Sequence, residues 1–257
     1  MSLLEVKGLT KHFGGLTAVN DLDLSVEKEE IVGLIVPNGA GKTTVFNMIM
    51  GSCSPSKGGV RLKGSDITGW KPHSVVAQGL VRSFQRTVLF SEMTVLQNIV
   101  LGFHLTSKAR FIESLLNGRS LREKNGRLTE KATEIAEFMG LGHSKDRMAK
   151  NLPHGHQRML GVAIALATHP EVILMDEPVT GMNTEETDLM MKKIMEIRGR
   201  GVTVLLVEHD MRLVMNTCDR LCVLNFGRKI AEGPPAEICR NKEVIGAYLG
   251  SDYASLC

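Results

Sequence analysis

The sequence has few cysteines, and they do not form the pattern of a disulfide framework. The chain of 257 residues contains Cys53, Cys218, Cys222, Cys239 and Cys257. An odd number at wide spacing is typical of a reducing compartment, because disulfide-rich domains are small and pair their cysteines. No Cys or His pair with metal-ligand spacing accompanies Cys218 and Cys222, and we interpret both as packing residues.

Long apolar runs are also missing. None approaches the roughly 18 residues that a membrane-spanning helix needs. The opening residues, MSLLEVKGLT, lack the basic start and long apolar region of a signal peptide. We therefore expect a cytoplasmic protein that reaches a membrane only peripherally.

Neither charge nor composition indicates nucleic-acid binding or disorder. The formal net charge is +3, and the chain is 43% hydrophobic and 23% charged. This near balance gives no electrostatic footprint for nucleic acid, and we interpret the basic residues from Lys108 to Lys131 as a solvated face. The length suffices for one large domain or for a domain with a sizeable insertion.

Apolar patterning along the chain predicts an α/β fold. AVNDLDLSVEK alternates apolar and polar residues, as a half-exposed strand does. IVGLIV, EVILMDE and GVTVLLVEHD are continuous apolar runs, typical of buried strands in a parallel sheet. LCVLNFGRKIAEG predicts a final hairpin that turns near Asn225 to Gly227.

The pattern changes to helix between about Val88 and Leu160, where TEKATEIAEFMGLG places apolar residues on one helical face. We predict an inserted helical subdomain over residues 88–160 and an α/β core over residues 1–87 and 161–257. A later helix is predicted to start at Asn183 to Glu186, with Asn as the cap and Glu three residues on.

One short segment, residues 32–44, has the chemistry of a phosphate-binding loop. VGLIVPNGAGKTT reads as an apolar strand, a glycine-rich turn and a helix start. Converging N–H groups and a fixed cation suit a triphosphate, and the residues that would supply them are Asn38, Gly39, Ala40, Gly41, Lys42, Thr43 and Thr44. Lys42 would bridge the β and γ phosphates, Thr43 would hold Mg²⁺, and Thr44 would lie near the α phosphate. The alternative is a glycine-rich turn with an incidental lysine.

The start of this loop departs from the pattern G-x-x-x-x-G-K-[ST], because Val36 stands where the first glycine belongs. If the backbone there has a positive φ, valine costs about 1–2 kcal/mol or more. If it is extended, a β-branched residue costs little. The sequence leaves both alternatives open.

Polar residues follow two later apolar strands. Asp176 and Glu177 end VILMDE, at the carboxyl edge where ligands bind in open α/β sheets. Asp176 would hold a metal through water, and Glu177 would accept a proton from an attacking water. His209, after TVLLVE, would be a neutral donor that reaches a γ phosphate. A chance acidic pair and an ordinary histidine at a strand end are the alternatives.

Two further residues are candidates on weaker grounds. Gln85 in VRSFQR, on a loop before the helical part, would contact metal or water, or else cap a turn. Phe13 in KHFGGL is an aromatic residue in a loop and is available to stack on adenine.

The order and spacing of these motifs resemble the nucleotide-binding subunit of an ATP-binding-cassette transporter over nearly the whole chain. In chain order they are Phe13 as the adenine-stacking residue, VPNGAGKTT as the Walker A loop, RSFQ as the Q loop, LPHGHQR as the signature segment, VILMDEP as Walker B, VTGMN as the D loop and VEHD as the switch histidine. FGGLTAVNDL, VRSFQRTVLFSEMTVLQNI and EHDMRLVM look more narrowly like the bacterial branched-chain amino-acid importer ATPase.

The resemblance implies a fold and a set of functional residues. The fold is a P-loop NTPase (RecA-like) parallel sheet core with an N-terminal antiparallel β subdomain and an inserted helical subdomain. ATP and Mg²⁺ are the implied cofactors, and the chemistry is in-line attack of water on the γ phosphate. The implied catalytic residues are Glu177, His209 and Gln85, and the implied metal ligands are Thr43, Gln85 and Asp176.

It also implies partners. Two nucleotide-binding subunits, in a homodimer or a heterodimer, would close head to tail on ATP, with Gly155 in the signature segment facing the ATP of the other subunit. Closure would drive polytopic permease subunits, served by an extracytoplasmic solute-binding protein, at the cytoplasmic face of the inner membrane. No nucleic-acid partner is expected.

The signature segment departs from the family pattern. L-S-G-G-Q, often L-x-Y-G-x-Q in this subfamily, is here LPHGH. Pro153 replaces a residue whose hydroxyl and N–H face the partner's γ phosphate, and proline offers neither donor. Gly155, Gln157 and Arg158 are kept. We interpret the two histidines as tolerated substitutions, since no third metal ligand is evident.

Three functions compete. Glu177 and His209 favour an ATP-hydrolysing transport subunit, whereas Val36 and Pro153 favour a nucleotide-binding subunit that hydrolyses weakly. A soluble cassette protein that acts on ribosomes or DNA is disfavoured by the single nucleotide domain and the balanced charge.

Overall fold

The computed structural model describes residues 2–36, 41–83, 89–106 and 118–249. The chain divides into two compact units. The first comprises residues 1–82, 171–177 and 191–257, and the second comprises residues 83–170 and 178–190. The domain boundaries at residues 88 and 160 stay a prediction.

The described residues form strands in two sheets. The strands are β1 (Ser2–Phe13), β2 (Leu16–Glu27), β3 (Ile31–Ile35), β4 (Lys57–Leu62), β5 (Ser65–Asp66), β6 (Leu80–Ser83), β7 (Val172–Asp176), β8 (Thr203–Val207), β9 (Arg220–Asn225) and β10 (Arg228–Gly233). A four-stranded sheet has the order β2-β1-β4-β5, and a six-stranded sheet has the order β10-β9-β3-β8-β7-β6. The first sheet is antiparallel, and the pairs β9–β3, β3–β8 and β8–β7 of the second are parallel. The predicted fold class is confirmed.

The helices are α1 (Lys42–Ile49), α2 (Pro72–Ala77), α3 (Val95–Thr106), α4 (Gly118–Phe138), α5 (His154–Ala167), α6 (Thr184–Gly199), α7 (Met211–Thr217), α8 (Pro235–Ile238) and α9 (Lys242–Val244). Short 3₁₀ turns occupy Gly142–Ser144 and Ala149–Asn151, and a π-helical turn occupies Ile245–Leu249. Within the described ranges, no helix has both the length and the hydropathy to cross a bilayer.

Strand burial follows the patterns read from the sequence. Every residue of β3, β7 and β8 is buried, as continuous apolar runs require. In β2, by contrast, Leu22, Leu24 and Val26 are buried, while Asp21 and Asp23 between them are exposed. Because successive side chains of a strand point to opposite faces, alternation in sequence becomes one buried face. The hairpin of β9 and β10 turns at the predicted residues and is antiparallel.

In the second unit, α3 and α5 pack closely because a glycine lies between them. A Cβ on Gly102 would lie 2.5 Å from the carbonyl oxygen of Ile164, too close for any side chain. Asn98, fully buried in α3, donates to the carbonyls of Phe90, Met93 and Thr94 and accepts from the Phe90 amide. This amide side chain therefore fixes the segment that enters α3.

Cys218 and Cys222 are buried free cysteines in the first unit. Burial raises the pKa of both thiols, that of Cys222 to about 12. Because of these raised pKa values, both thiols stay protonated at neutral pH and do not form the reactive thiolate. This burial agrees with the interpretation of the two residues as packing residues.

Candidate functional site

The carboxyl ends of three neighbouring strands lie on one edge of the six-stranded sheet. β3, β8 and β7 run parallel in that order, so the segments that follow them start at the same edge. β3 leads towards Gly41 and α1, β7 ends at Asp176, and β8 leads to His209. The topology therefore collects predicted site residues from distant parts of the sequence.

Glu177 is the point where these segments meet. Lys42 Nζ donates to Glu177 Oε1 at 2.7 Å, and the two side chains are only 9% and 12% exposed. His209 Nδ1 lies 3.5 Å from the same oxygen, although the His209 side chain is 55% exposed. The backbone amide of Glu177 donates to the Val207 carbonyl at 2.9 Å. One carboxylate thus contacts the lysine that begins α1 and the histidine that follows β8.

The backbone of Glu177 has an unusual conformation. Its φ is +48°, in the left-handed region that non-glycine residues rarely adopt. Such a conformation costs on the order of 1–2 kcal/mol, and it persists where surrounding contacts fix the residue. The hydrogen bond to Val207 and the ion pair with Lys42 are contacts of that kind.

Gly41 is the residue that allows α1 to begin where it does. It is the N-cap of α1 with φ +102°, and a Cβ there would lie 2.5 Å from the Ala18 carbonyl oxygen. Only glycine fits, because a side chain would be both strained and blocked. Gly41 provides no side-chain cap, and the first turn of α1 has no acidic residue. The N-terminal N–H groups of α1 are therefore suited to an anion.

Oxygen donors of the kind that Mg²⁺ prefers lie in α1 and at the end of β7. Thr43 is exposed in the first turn of α1, whereas Asp176 is only 3% exposed at the end of β7. Within the described residues, no group of three or more His, Cys, Asp or Glu side chains could hold a metal alone. Magnesium is commonly bound by one or two protein oxygens together with phosphates and waters. These residues fit a metal ion that arrives with a phosphate ligand.

Sequence reasoning missed Arg82, which contacts Asp176. Arg82 Nη2 donates to Asp176 Oδ2, and Nη1 donates to Asn47 Oδ1 at 2.8 Å. Its guanidinium carbon lies 5.4 Å from the centroid of the Phe46 ring. A signal was present in the sequence, since Arg82 is a charged residue inside the short apolar strand β6.

Phe13 lies at a strand end and not in a loop, so that part of the prediction was wrong. It is the last residue of β1 and pairs with Leu16, because Gly14 and Gly15 alone make the turn. Its side chain is 50% exposed, and Lys11 Nζ lies 5.2 Å from the ring centroid. The ring is accessible to a planar ligand.

The structure chooses between the two alternatives for Val36. The described non-glycine residues with positive φ are Asp21, Glu29, Lys63, His169, Glu177 and Phe226, and Val36 is not among them. Its side chain is 1% exposed and belongs to the core cluster that includes residues of β3 and α1. Valine here is a packed core residue without left-handed strain.

Thr44 is half-buried in α1, whereas Asn38, Gly39, Ala40 and Gln85 lie outside the described residues.

In the second unit, Gly155 is the second residue of α5 and lies against Glu186. A Cβ on Gly155 would lie 2.4 Å from Glu186 Oε1. Glu186 Oε2 accepts from the Asn183 amide at 3.1 Å, and Asn183 Oδ1 accepts from the Glu186 amide at 2.9 Å. This reciprocal pair is the predicted cap of α6 and is confirmed. Pro153 is the exposed N-cap of α5 and makes no side-chain capping bond.

Two family models match the sequence. The model described as ABC transporter matches residues 19–180, which is more than half of the chain. The model described as branched-chain amino acid ATP-binding cassette transporter matches residues 228–254.

Individual relatives agree with these matches. The chain is 42% identical over 249 residues to the high-affinity branched-chain amino acid transport ATP-binding protein BraF of Pseudomonas aeruginosa and, to the same extent, to LivG of Escherichia coli. Each alignment covers 96% of this chain and 98% of the relative. A crystal structure of the ADP conformation of an ATP-binding cassette of an ABC transporter has 31% identity and a TM-score of 0.84, and the match covers 98% of this chain and 100% of that one.

We expect Lys42 and Glu177 to be energetically coupled. Lys42→Met should lower the free energy of unfolding by about 3–5 kcal/mol, because it leaves a mostly buried carboxylate without its nearest cation. The double variant Lys42→Met/Glu177→Gln should lose less than the sum of the single variants, since neither charge remains. Urea denaturation of the four proteins measures the coupling.

Lys63→Met is the matched control. Lys63 pairs with Glu171 at 2.6 Å, but these side chains are 37% and 54% exposed. Loss of this solvated pair should cost less than about 1 kcal/mol. Strict additivity of the two site variants would contradict the coupling.

Proposed function

This chain belongs to the ABC transporter family, and we propose that it binds and hydrolyses ATP to energise an importer, with branched-chain amino acids as the transported class. The observation that carries the proposal is the contact of Lys42 and His209 with Glu177 at the carboxyl edge of the parallel sheet. The names of the relatives at 42% identity support the transported class.

ATP binding is proposed to start with an exchange of partners at Lys42. The β and γ phosphates would take over Nζ, which now donates to Glu177. The N-terminal N–H groups of α1 would donate to the phosphate oxygens, and Thr44 would lie near the α phosphate. Phe13 would stack on adenine. Asn38, Gly39 and Ala40 are assigned to the same phosphate loop by family resemblance. The exchange keeps a negative partner on Lys42 throughout, so its buried cation is never left unpaired.

Mg²⁺ bound with the nucleotide would neutralise charge on the phosphates. Thr43, Asp176 and Gln85 would hold it. Asp176 is already a buried carboxylate with a fixed cation beside it, so its orientation does not depend on the ion.

Hydrolysis is proposed to use the carboxylate that Lys42 releases. Once the phosphates bind Lys42, Glu177 Oε1 is available to accept a proton from a water that attacks the γ phosphate. His209, which lies beside that oxygen, would donate to the γ phosphate and hold it in line. The chain's contribution is then positioning and electrostatic stabilisation.

A second subunit is proposed to complete each site. The signature segment, with Gly155 at the start of α5, would face the ATP of the partner in a homodimer or heterodimer. Permease subunits would receive the motion at the cytoplasmic face of the inner membrane, and a solute-binding protein would take part indirectly.

A nucleotide-binding subunit with weak hydrolysis is the second candidate function. Pro153 favours it, because this residue lacks both a side-chain donor and an N–H at the N-terminus of α5. Val36 does not support it through strain, since its φ is not positive.

ATP turnover by the purified protein tests the proposal. We expect phosphate release with Mg²⁺ and ATP, no ATP binding by Lys42→Ala, and a rate about 10²–10⁴-fold lower in Glu177→Gln despite retained binding. Native turnover no higher than that of Glu177→Gln would favour the second candidate. Unchanged ATP affinity in Lys42→Ala would contradict the position given to the phosphates.

We expect the chain to co-purify with polytopic membrane subunits when it is tagged in its own host and extracted with mild detergent. A tag-only sample is the control. Recovery with ribosomes and without membrane subunits would contradict a transport function.

Pro153→Ser should raise hydrolysis about tenfold or more, because it restores a hydroxyl and an N–H that would face the partner's phosphate. It should also stabilise α5 by about 1 kcal/mol, since serine is a good N-cap. Pro234→Ser is the matched control, because Pro234 is likewise an N-cap without a side-chain bond, in α8. An equal rise in both variants, or a flat rate in Pro153→Ser, would mean that the signature departure does not limit turnover.

A further inference from the structure

Arg82 is held in place by side chains from two different elements. It donates to Asp176 at the end of β7 and to Asn47 in α1, and its guanidinium lies over the ring of Phe46 in α1. The Arg82 and Asp176 side chains are only 13% and 3% exposed. The fork of a guanidinium can satisfy two acceptors and stack at once, which a lysine cannot do.

These contacts join α1 and β7, the two elements that carry Lys42, Thr43 and Asp176 among the proposed ligands of Mg²⁺ and ATP. α1 begins with Lys42 and Thr43 and later presents Phe46 and Asn47 to Arg82, while β7 ends at Asp176. A shift of α1 relative to β7 would have to break or stretch a contact of Arg82. The guanidinium therefore ties α1, the helix that carries Thr43, to Asp176 at the end of β7.

Stability alone is a poor explanation for this arrangement. Arg82 Nε is buried and has no hydrogen-bond partner among the described residues. A buried donor without a partner costs stability, and a buried ion pair gains little over apolar packing. What the arrangement does provide is a fixed orientation for one buried carboxylate.

We propose that Arg82 is a positioning residue that orients Asp176 to receive Mg²⁺ together with the nucleotide. This inference rests on the proposed function and extends it to Arg82, a residue of the RSFQ segment to which the family resemblance assigned no role. Groups that orient metal-binding side chains typically contribute 10–100-fold to metal affinity. Arg82 acts through Asp176 and does not itself contact the metal or the phosphates.

The test separates nucleotide binding from metal binding. The affinity of each protein for a fluorescent ATP analogue is first measured in EDTA. Mg²⁺ is then titrated at a fixed concentration of the analogue, and the midpoint of the Mg²⁺-dependent change is measured. For Arg82→Met we expect the affinity for the analogue in EDTA to be unchanged and the Mg²⁺ midpoint to be about tenfold higher than that of the native protein. Arg82→Lys should fall between native and Arg82→Met, because an ammonium keeps the charge but loses the fork.

Asn47→Ala provides a second variant that keeps the ion pair. It removes one anchor of the guanidinium, so the Mg²⁺ midpoint should rise in the same direction by a smaller factor. If Arg82→Met does not fold, Asn47→Ala decides, and an unchanged midpoint there overturns the inference. Lys63→Met is the control, because Lys63 pairs with Glu171 beside the opposite end of β7 and should leave the midpoint unchanged.

Three results for Arg82→Met would overturn the inference: an unchanged midpoint, a lower midpoint, or an equal loss of affinity with and without Mg²⁺. A lower midpoint would mean that Arg82 competes with the metal for Asp176. An equal loss would mean a purely structural role. Failure of the native protein to bind nucleotide, or binding that does not respond to Mg²⁺, would instead overturn the proposed function.

Discussion

The buried ion pair of Lys42 and Glu177 is the interaction on which the candidate site depends. Each charge is shielded from water, so each needs an opposite charge close by. The pair ties the start of α1 to the residue after β7, and His209 contacts the same carboxylate from the end of β8. A phosphate could replace Glu177 at Lys42 without leaving that cation alone. In the proposed exchange, phosphate binding at Lys42 releases the Glu177 carboxylate.

Two adjacent carboxylates each have a cation partner of their own. Asp176 pairs with Arg82, while Glu177 pairs with Lys42. Side by side without partners, the carboxylates would repel each other. Arg82 is anchored by Asn47 and by the ring stacked beneath it, so its carboxylate stays oriented. Lys42 is the first residue of α1, where the proposed phosphate ligand would compete with Glu177 for it.

Local features of the structure were predictable because local sequence encodes them. Continuous apolar runs predicted the buried strands. The reciprocal cap of Asn183 and Glu186 was predictable because its two residues are only three positions apart in sequence. Phe13 was misplaced in a loop because strand pairing, a non-local interaction, extends β1 to the turn. Arg82 was missed for a similar reason. Its partner Asp176 is 94 residues away in sequence, and no periodicity marks such a contact.

The sequence by itself determined the family, the buried strands IVGLIV, EVILMDE and GVTVLLVEHD, and the final hairpin, because motif spacing and periodicity are properties of the chain. Only the tertiary structure decided that Val36 is a packed core residue without left-handed strain. It also decided which cation neutralises which carboxylate, at Asp176 and at Glu177. Those choices depend on side chains that meet across a folded sheet, and distances across a sheet are set by packing and not by neighbours in sequence.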